Sequence, residues 1–249
     1  MNLLKKKVAF ISGGTGGIGQ AIAKRLAKDG FNLIINHKNS KTKKEAILLA
    51  RKITKLGSTA FIIEADISKE DEVKRIAATI KKRFGSLNLL IHNAGVNKNH
   101  TLKTLNAWDF DAIMNTNLKG GVMLAHHLLP LIAKKNSGII FISSMNAFSG
   151  SPGRTAYATS KSALIGLTRA LALELAPSIR VNTIVPGYVN TAMFKRFSSK
   201  TPTEKIKNIP LKRLGTPDDV AGITSFLASK DSSYVTGQCM HVNGGAFFA

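Results

Sequence analysis

Ser12-Gly13-Gly14-Thr15-Gly16-Gly17-Ile18-Gly19 joins an apolar run, Val8–Ser12, to an amphipathic stretch, Ile18–Asp29. Glycines at 13, 17 and 19 let a chain turn tightly and bring its backbone against a pyrophosphate. The helix beyond adds free amides and the positive end of its dipole. A glycine motif alone is a weak sign. Between the first strand pattern and the first helix pattern it reads as a dinucleotide-binding turn, with Thr15, Gly16 and Ile18 completing the cradle.

The same alternation continues along the chain. Strand patterns fall at Val8–Ser12, Leu33–Asn36, Thr59–Glu64, Leu89–His92, Ile139–Ser143, Val181–Val185 and Cys239–Val242. Several are continuous apolar runs, as strands buried on both faces require. Helix patterns fall at Ile18–Asp29, Lys43–Leu56, Glu70–Phe84, Leu118–Lys135, Ala156–Leu175 and Pro217–Ala228. The last has Thr216 as N-cap, Pro217 at its first position and Asp218 and Asp219 in its first turn. Strand–helix–strand alternation implies right-handed crossovers. The expected fold is α/β: a doubly wound, seven-stranded, mainly parallel sheet with helices on both faces, in one domain spanning residues 1–249. Asn190 to Pro210 is polar, Lys-rich and weakly periodic, and reads as a substrate lid.

Composition narrows the function. With 249 residues and 44% apolar content, the chain can bury a sizeable core. One cysteine, Cys239, excludes an internal disulfide framework and a cysteine-rich metal site. His126 and His127 lack metal-ligand partners at suitable spacing, so no metal is expected. The longest apolar stretch, Val122–Ala133, is too short to span a bilayer, and no signal peptide fits the N-terminus. A cytoplasmic protein is expected. The net charge of +22 invites a nucleic-acid reading, but the excess is smeared: 22 basic and 9 acidic side chains in residues 1–125, 14 and 5 in 126–249. It reads as a basic, soluble surface rather than a nucleic-acid arm.

Tyr157 and Lys161 stand four residues apart on a helix pattern, which puts both on one face. An ammonium beside a phenol favours the phenolate, so the spacing predicts a tyrosine tuned downward for acid–base work. Ser144 ends the fifth strand pattern, where its hydroxyl can polarise a carbonyl oxygen.

The spacing Gly13-x-x-x-Gly17-x-Gly19 is one residue longer at the front than the usual Rossmann form, and resembles the short-chain dehydrogenase/reductase family. The resemblance covers nearly the whole chain. Asp66, in Ala65-Asp66-Ile67, matches the family's adenine-contacting acid, and Asn93-Ala94-Gly95 its Asn-Ala-Gly motif. The family usually has a second Asn where this chain has His92. Pro186-Gly187-Tyr188-Val189-Asn190-Thr191 matches the segment that holds the nicotinamide end. The resemblance implies a catalytic set of Asn117, Ser144, Tyr157 and Lys161. Tyr157 would protonate a carbonyl oxygen that Ser144 orients. Lys161 would bind the nicotinamide ribose and tune Tyr157, and Asn117 would hold a proton-relaying water.

Where NAD-linked members have an acid after the second strand, this chain has His37 and Lys38, which suits the 2′-phosphate of NADP(H), with NAD(H) left open. Asn146, Phe148, Tyr188 and Met193 are expected pocket walls beside Ser144. Within the family the chain resembles 3-oxoacyl-acyl carrier protein and acetoacetyl-CoA reductases. A 3-oxoacyl thioester is therefore the expected substrate and acyl carrier protein a possible partner. Lys135 would help dock that carrier, and Lys195, Arg196 and Lys200 would help hold a substrate phosphate. Relatives are usually tetramers, and the apolar tail Ala246-Phe247-Phe248-Ala249 suits a subunit contact. Two other readings remain open: a dehydrogenase of a sugar, polyol or steroid-like alcohol, and a non-enzymatic dinucleotide sensor or nucleic-acid-binding protein.

Overall fold

The computed structural model describes residues 6–134, 137–197 and 201–248. One sheet of seven strands runs through it: β1 Val8–Ser12, β2 Asn32–His37, β3 Ala60–Glu64, β4 Leu89–His92, β5 Ser137–Ile142, β6 Ile179–Pro186 and β7 Cys239–Val242. Their spatial order is β3-β2-β1-β4-β5-β6-β7. Every pairing between these strands is parallel, so the sheet is more uniform than the mainly parallel one expected. The chain winds outward from β1 to β3, then returns to place β4 on the other side of β1. That reversal opens a crevice at the carboxyl ends of β1 and β4, where open parallel sheets bind ligands.

Helices cover both faces. On one, α1 (Gly17–Lys28) and α10 (Pro217–Ala228) pack together over Ile11, Leu33, Ile35 and Ile91. On the other, α3 (Glu70–Phe84), α5 (Gly120–Leu128) and α7 (Thr155–Glu174) cover Phe10, Ile34, Leu90 and Phe141. Phe10 and Phe141 are wholly buried. Burying a side chain of this size contributes about 1.5–3 kcal/mol. The two-sided burial explains why these strands read as unbroken apolar runs. On the α1 side, α2 (Lys43–Lys55) packs beside the sheet's β3 edge through Leu49 and Ile53.

The largest departure from the sequence reading lies between β4 and β5. The helix expected over Leu118–Lys135 begins earlier, as α4 (Ala107–Met114), where Asn106 caps the first turn by accepting from the Asp109 amide. It passes through a π turn at Asn115–Lys119 and continues as α5. Pro130 then turns it into a short 3₁₀ segment, Leu129–Leu131. A π turn inserts a residue into the helical repeat, so a 3.6-residue period cannot run across it. Lys135 lies outside the described residues. The weakly periodic segment after β6 holds two short helices, α8 (Ala192–Phe197) and α9 (Pro202–Lys207). A four-residue helix, α6 (Asn146–Ser149), follows β5. No helix among the described residues is long and apolar enough to cross a membrane.

Candidate active site

The carboxyl ends of the strands open into a cleft of about 600 Å³. Its floor is the glycine turn. Gly13 has φ +60°, and a Cβ there would lie 2.7 Å from the Ala94 Cα. A Cβ on Gly19 would lie 2.5 Å from the Gly13 carbonyl oxygen. Only glycine lets this turn fold under the Asn93–Gly95 segment. The Asn93 side-chain amide donates to the Gly13 carbonyl at 2.8 Å and fastens the two together. Gly16 caps α1 with no side chain to bond, and the first turn of α1 holds no acid. The leading amides of α1 therefore face a cleft lined by Thr15, Gly16, Gly17 and Ile18. A backbone cradle that a Cβ would fill, at a bare helix N-terminus, fits the diphosphate of a dinucleotide.

At the β2 end, Lys38 and Thr42 line the cleft. His37 does not. Its ring is buried, with Nδ1 bonded to the Asn39 carbonyl at 3.1 Å. Neighbouring residues at a strand end point to opposite sides, so of the expected pair only Lys38 is presented. Lys38 Nζ lies 3.0 Å from Asp66, which also accepts from the amide and hydroxyl of Ser68. Burial pushes the Asp66 carboxyl up, but these hydrogen bonds and the Lys38 charge outweigh it and hold the group below its ordinary range. Asp66 and Ile67 sit behind the cleft lining, with Ile67 buried beneath Gly120.

At the other end Ser144, Tyr157 and Lys161 line the cleft together. Tyr157 and Lys161 are 8% and 3% exposed on α7, with Lys161 Nζ 5.9 Å from the tyrosine ring centroid. Lys161 Nζ donates to the Ile142 carbonyl at 2.7 Å. Burial lowers Lys161 to about 8. Burial raises the Tyr157 phenol, against a hydrogen bond with Ser144 and the charge of Arg154. The sequence reading, in which Lys161 pulls the tyrosine down, is corrected here: desolvation of the phenol wins, and the groups that oppose it are Ser144 and Arg154 rather than Lys161. Gly95 packs against Lys161, since a Cβ there would lie 3.2 Å from its Nζ.

Asn117 is fully buried behind the cleft. Its side-chain oxygen accepts from the Val96 amide at 2.8 Å. Its side-chain nitrogen donates to the Val96 carbonyl and to Ser160 Oγ, each at 3.0 Å. Pro186, Gly187, Val189 and Thr191 all line the cleft, and Thr191 packs against Gly17, which joins the β6 loop to the glycine turn. Of the expected substrate walls, Asn146, Tyr188 and Met193 line the cleft. Phe148 does not; its ring packs 4.8 Å from His241 and 6.0 Å from Phe247.

Arg154, Phe194 and Lys205 are cleft residues that the sequence reading misses. Arg154 stands one helical turn before Tyr157, a spacing that could have drawn notice, and donates to the Phe197 carbonyl at 2.5 Å. Lys205 sits 4.5 Å from the Tyr188 ring centroid. Lys195 and Arg196 lie outside the cleft lining, and Lys200 lies outside the described residues. No group of three metal-ligating side chains occurs among the described residues.

The family profile described as enoyl-(acyl carrier protein) reductase matches residues 13–246. A 3-oxoacyl-[acyl-carrier-protein] reductase FabG of Staphylococcus epidermidis is 37% identical, over 97% of this chain and 99% of its own. The chain belongs to the short-chain dehydrogenase/reductase family. Within that family, the glucose/ribitol dehydrogenase structure from Brucella melitensis is similar at TM-score 0.90 and 32% identity, covering 98% of this chain and 97% of its own. A blue fluorescent protein from a metagenomic library, in complex with NADPH, is similar at TM-score 0.92 and 32% identity, covering 99% and 100%. As a short-chain dehydrogenase/reductase the protein is an NAD(P)-dependent oxidoreductase of carbonyl and CH–OH groups. Its glycine turn and its Ser144, Tyr157 and Lys161 occupy the two ends of one cleft.

Proposed function

We propose that the protein is an NADP(H)-dependent reductase of a 3-oxoacyl thioester, giving the 3-hydroxyacyl product. The observation that carries this is the meeting of Ser144, Tyr157 and Lys161 in one cleft with the glycine cradle. The reading is supported by the full-length similarity to 3-oxoacyl-acyl carrier protein reductases. Lys38 on the cleft wall, in a lining without aspartate or glutamate among the described residues, supports NADP(H) over NAD(H).

A bound reduced nicotinamide dinucleotide would supply the hydride. The protein's residues do the rest. Ser144 Oγ–H donates to the ketone oxygen and polarises it, a role typically worth about 3–4 kcal/mol in the transition state. Tyr157 delivers the proton to that oxygen, a step worth about 10²–10⁴-fold. A phenol held neutral by burial is ready to donate. Lys161, buried beside it, lowers the cost of the phenolate that results. Helices α8 and α9 bring Met193, Phe194 and Lys205 over the substrate end, and we assign Asn190–Pro210 as its lid. Exposed Trp108, Leu173 and Phe248 support self-association, read as a tetramer, and the free Cys239 suits a reducing cytoplasm. The carrier of the acyl chain is read as acyl carrier protein.

The family profile's description points to a second reading, reduction of a carbon–carbon double bond. The test is oxidation of NADPH with acetoacetyl-CoA and with crotonyl-CoA, with NADH run in parallel. The expected outcome is turnover of acetoacetyl-CoA with NADPH alone. Turnover of crotonyl-CoA only would move the reading to an enoyl reductase. Silence with both would move it to a sugar or polyol alcohol, the substrate class named for the Brucella relative. Lys38→Ala should raise the KM for NADPH about tenfold and leave NADH unchanged, as loss of a charge-assisted hydrogen bond predicts.

A further inference from the structure

His92 stands where the family usually has asparagine, and its ring sits at the centre of a buried hydrogen-bond chain. The residue is wholly buried. Ser12 Oγ lies 3.1 Å from its Nδ1, and the Asn117 carbonyl oxygen 2.9 Å from its Nε2. Hydrogen-bond capacity decides the tautomer. Ser12 Oγ accepts from the amides of Asn93 and Ala94, each at 3.1 Å, which uses both of its lone pairs. Its one O–H is left to donate, and Nδ1 must accept it. The ring proton is therefore on Nε2 and donates to the Asn117 carbonyl. A protonated imidazole would need an acceptor on both sides and would find one. Burial first, and the nearby Lys161 charge second, also push His92 down to about 4.

The chain continues beyond Asn117. The Asn117 side-chain amide donates to Ser160 Oγ at 3.0 Å, and Ser160 Oγ–H donates to the Tyr157 carbonyl at 2.8 Å. A continuous path thus joins Ser12, which opens the glycine turn, to the turn of α7 that carries Tyr157 and Lys161. The ring is held in place as well: a Cβ on Gly121 would lie 2.8 Å from His92 Cδ2, and Phe141 meets the ring edge-on at 6.2 Å.

We infer that His92, as its neutral Nε2–H tautomer, is a positioning residue: it locks the π turn at Asn117 and thereby sets Tyr157 and Lys161 in register with the dinucleotide cradle. The path touches no reacting atom. It fixes where the acid stands relative to the group that the glycine turn holds. The inference rests on the reductase reading only for its assay.

The test compares His92→Phe, which keeps the flat ring against Gly121 and Phe141, with His92→Gln, which returns an N–H near Nε2. His92→Phe should lower kcat by about tenfold to a hundredfold, the scale of a small misplacement of a reacting group. Its KM for NADPH should stay within about twofold of wild type, because the glycine cradle itself is unaltered. His92→Gln should recover kcat to within about threefold of wild type. Wild-type turnover by His92→Phe, or a loss that falls on the KM for NADPH and is not rescued by glutamine, overturns the inference. Nitrogen NMR of the histidine rings gives an arm that needs no substrate. A slowly exchanging Nε2 proton on His92 is expected, and an Nδ1–H ring would overturn the assignment. An inactive wild type would strike the thioester reading, and the NMR arm would then decide this one.

Discussion

Thr201-Pro202-Thr203-Glu204 and Thr216-Pro217-Asp218-Asp219 start two helices with the same device. In each, the threonine hydroxyl accepts from the third helical amide, the acid there bonds back to the threonine, and proline fills the first position. The helices themselves differ. Helix α9 ends after six residues and buries none of them. Helix α10 runs twelve residues and buries Val220, Ala221, Thr224, Leu227 and Ala228, packed beside α1. The cap starts a helix in both places. Only packing makes one of them part of the frame. The molecule divides along this line. The cofactor cradle and the catalytic helix stand on buried, cross-linked backbone, whereas the substrate end is covered by short, locally capped pieces that can change without disturbing the sheet.

The sharpest way to break that division is Tyr157→Phe. If the frame and the chemistry are separable there, kcat should fall by about 10²–10⁴-fold. Affinity for NADPH, followed by nucleotide fluorescence, should stay within about twofold, because the phenol hydroxyl supports neither the glycine turn nor α1. A variant that lost NADPH binding to the same degree would show that the two ends of the cleft are one energetic unit.

Lys161 tests the same frame through pH. Burial holds its folded value at about 8, against 10.5 when solvated. Below pH 8 the lysine is charged in both states, and the folded state bears the full cost of burying the charge. Between 8 and 10.5 the unfolded chain binds the extra proton, so stability rises with pH. Above 10.5 both states are neutral. Lys161→Met should therefore be more stable than wild type at pH 7 by up to about 3 kcal/mol. That advantage should shrink through pH 8 to 10.5. Melting temperatures of both proteins across this range check it, and a constant difference would show that the ammonium is not desolvated. The substitution should also cost activity, since the buried charge is kept for the site and not for the fold.

How far the sequence reveals the molecule depends on the same division. Two-sided strands such as Ile139–Ser143 are legible because burial on both faces writes an unbroken apolar run. The glycine turn is legible because backbone proximity at Gly13 and Gly19 leaves room for nothing else. His37 and Lys38 read as a pair in the sequence, yet they point to opposite sides of a strand end, and only the fold shows which one faces the cleft. Phe148 is near true wall residues in sequence, but the short turn of α6 sends its ring toward His241. The Asn115–Lys119 π turn hides from any periodic reading because it breaks the period. Thr201 escapes notice for a different reason: its cap is as plain as that of Thr216, but no apolar stripe lies beyond it.

Those two threonines give the smallest and most direct test. Thr216→Ala removes a cap from a helix that packs on the core, and should cost about 1 kcal/mol of global stability. In a chain of this size that lowers the melting temperature by about 2–4 °C. Thr201→Ala removes the same bonds from α9, where no buried residue ties the helix to the sheet. Its global stability should change by less than about 0.3 kcal/mol, because α9 can unravel while the rest stays folded. The loss should appear instead as faster amide exchange confined to residues 201–207 and a higher KM for the thioester, since Lys205 would no longer be held beside Tyr188. Equal melting losses from both substitutions would mean that α9 unfolds only with the whole sheet, and the division drawn from the two caps would fail. A local loss at α9 alone would establish that the substrate end opens on its own, with the cradle and Tyr157 standing unchanged beneath it.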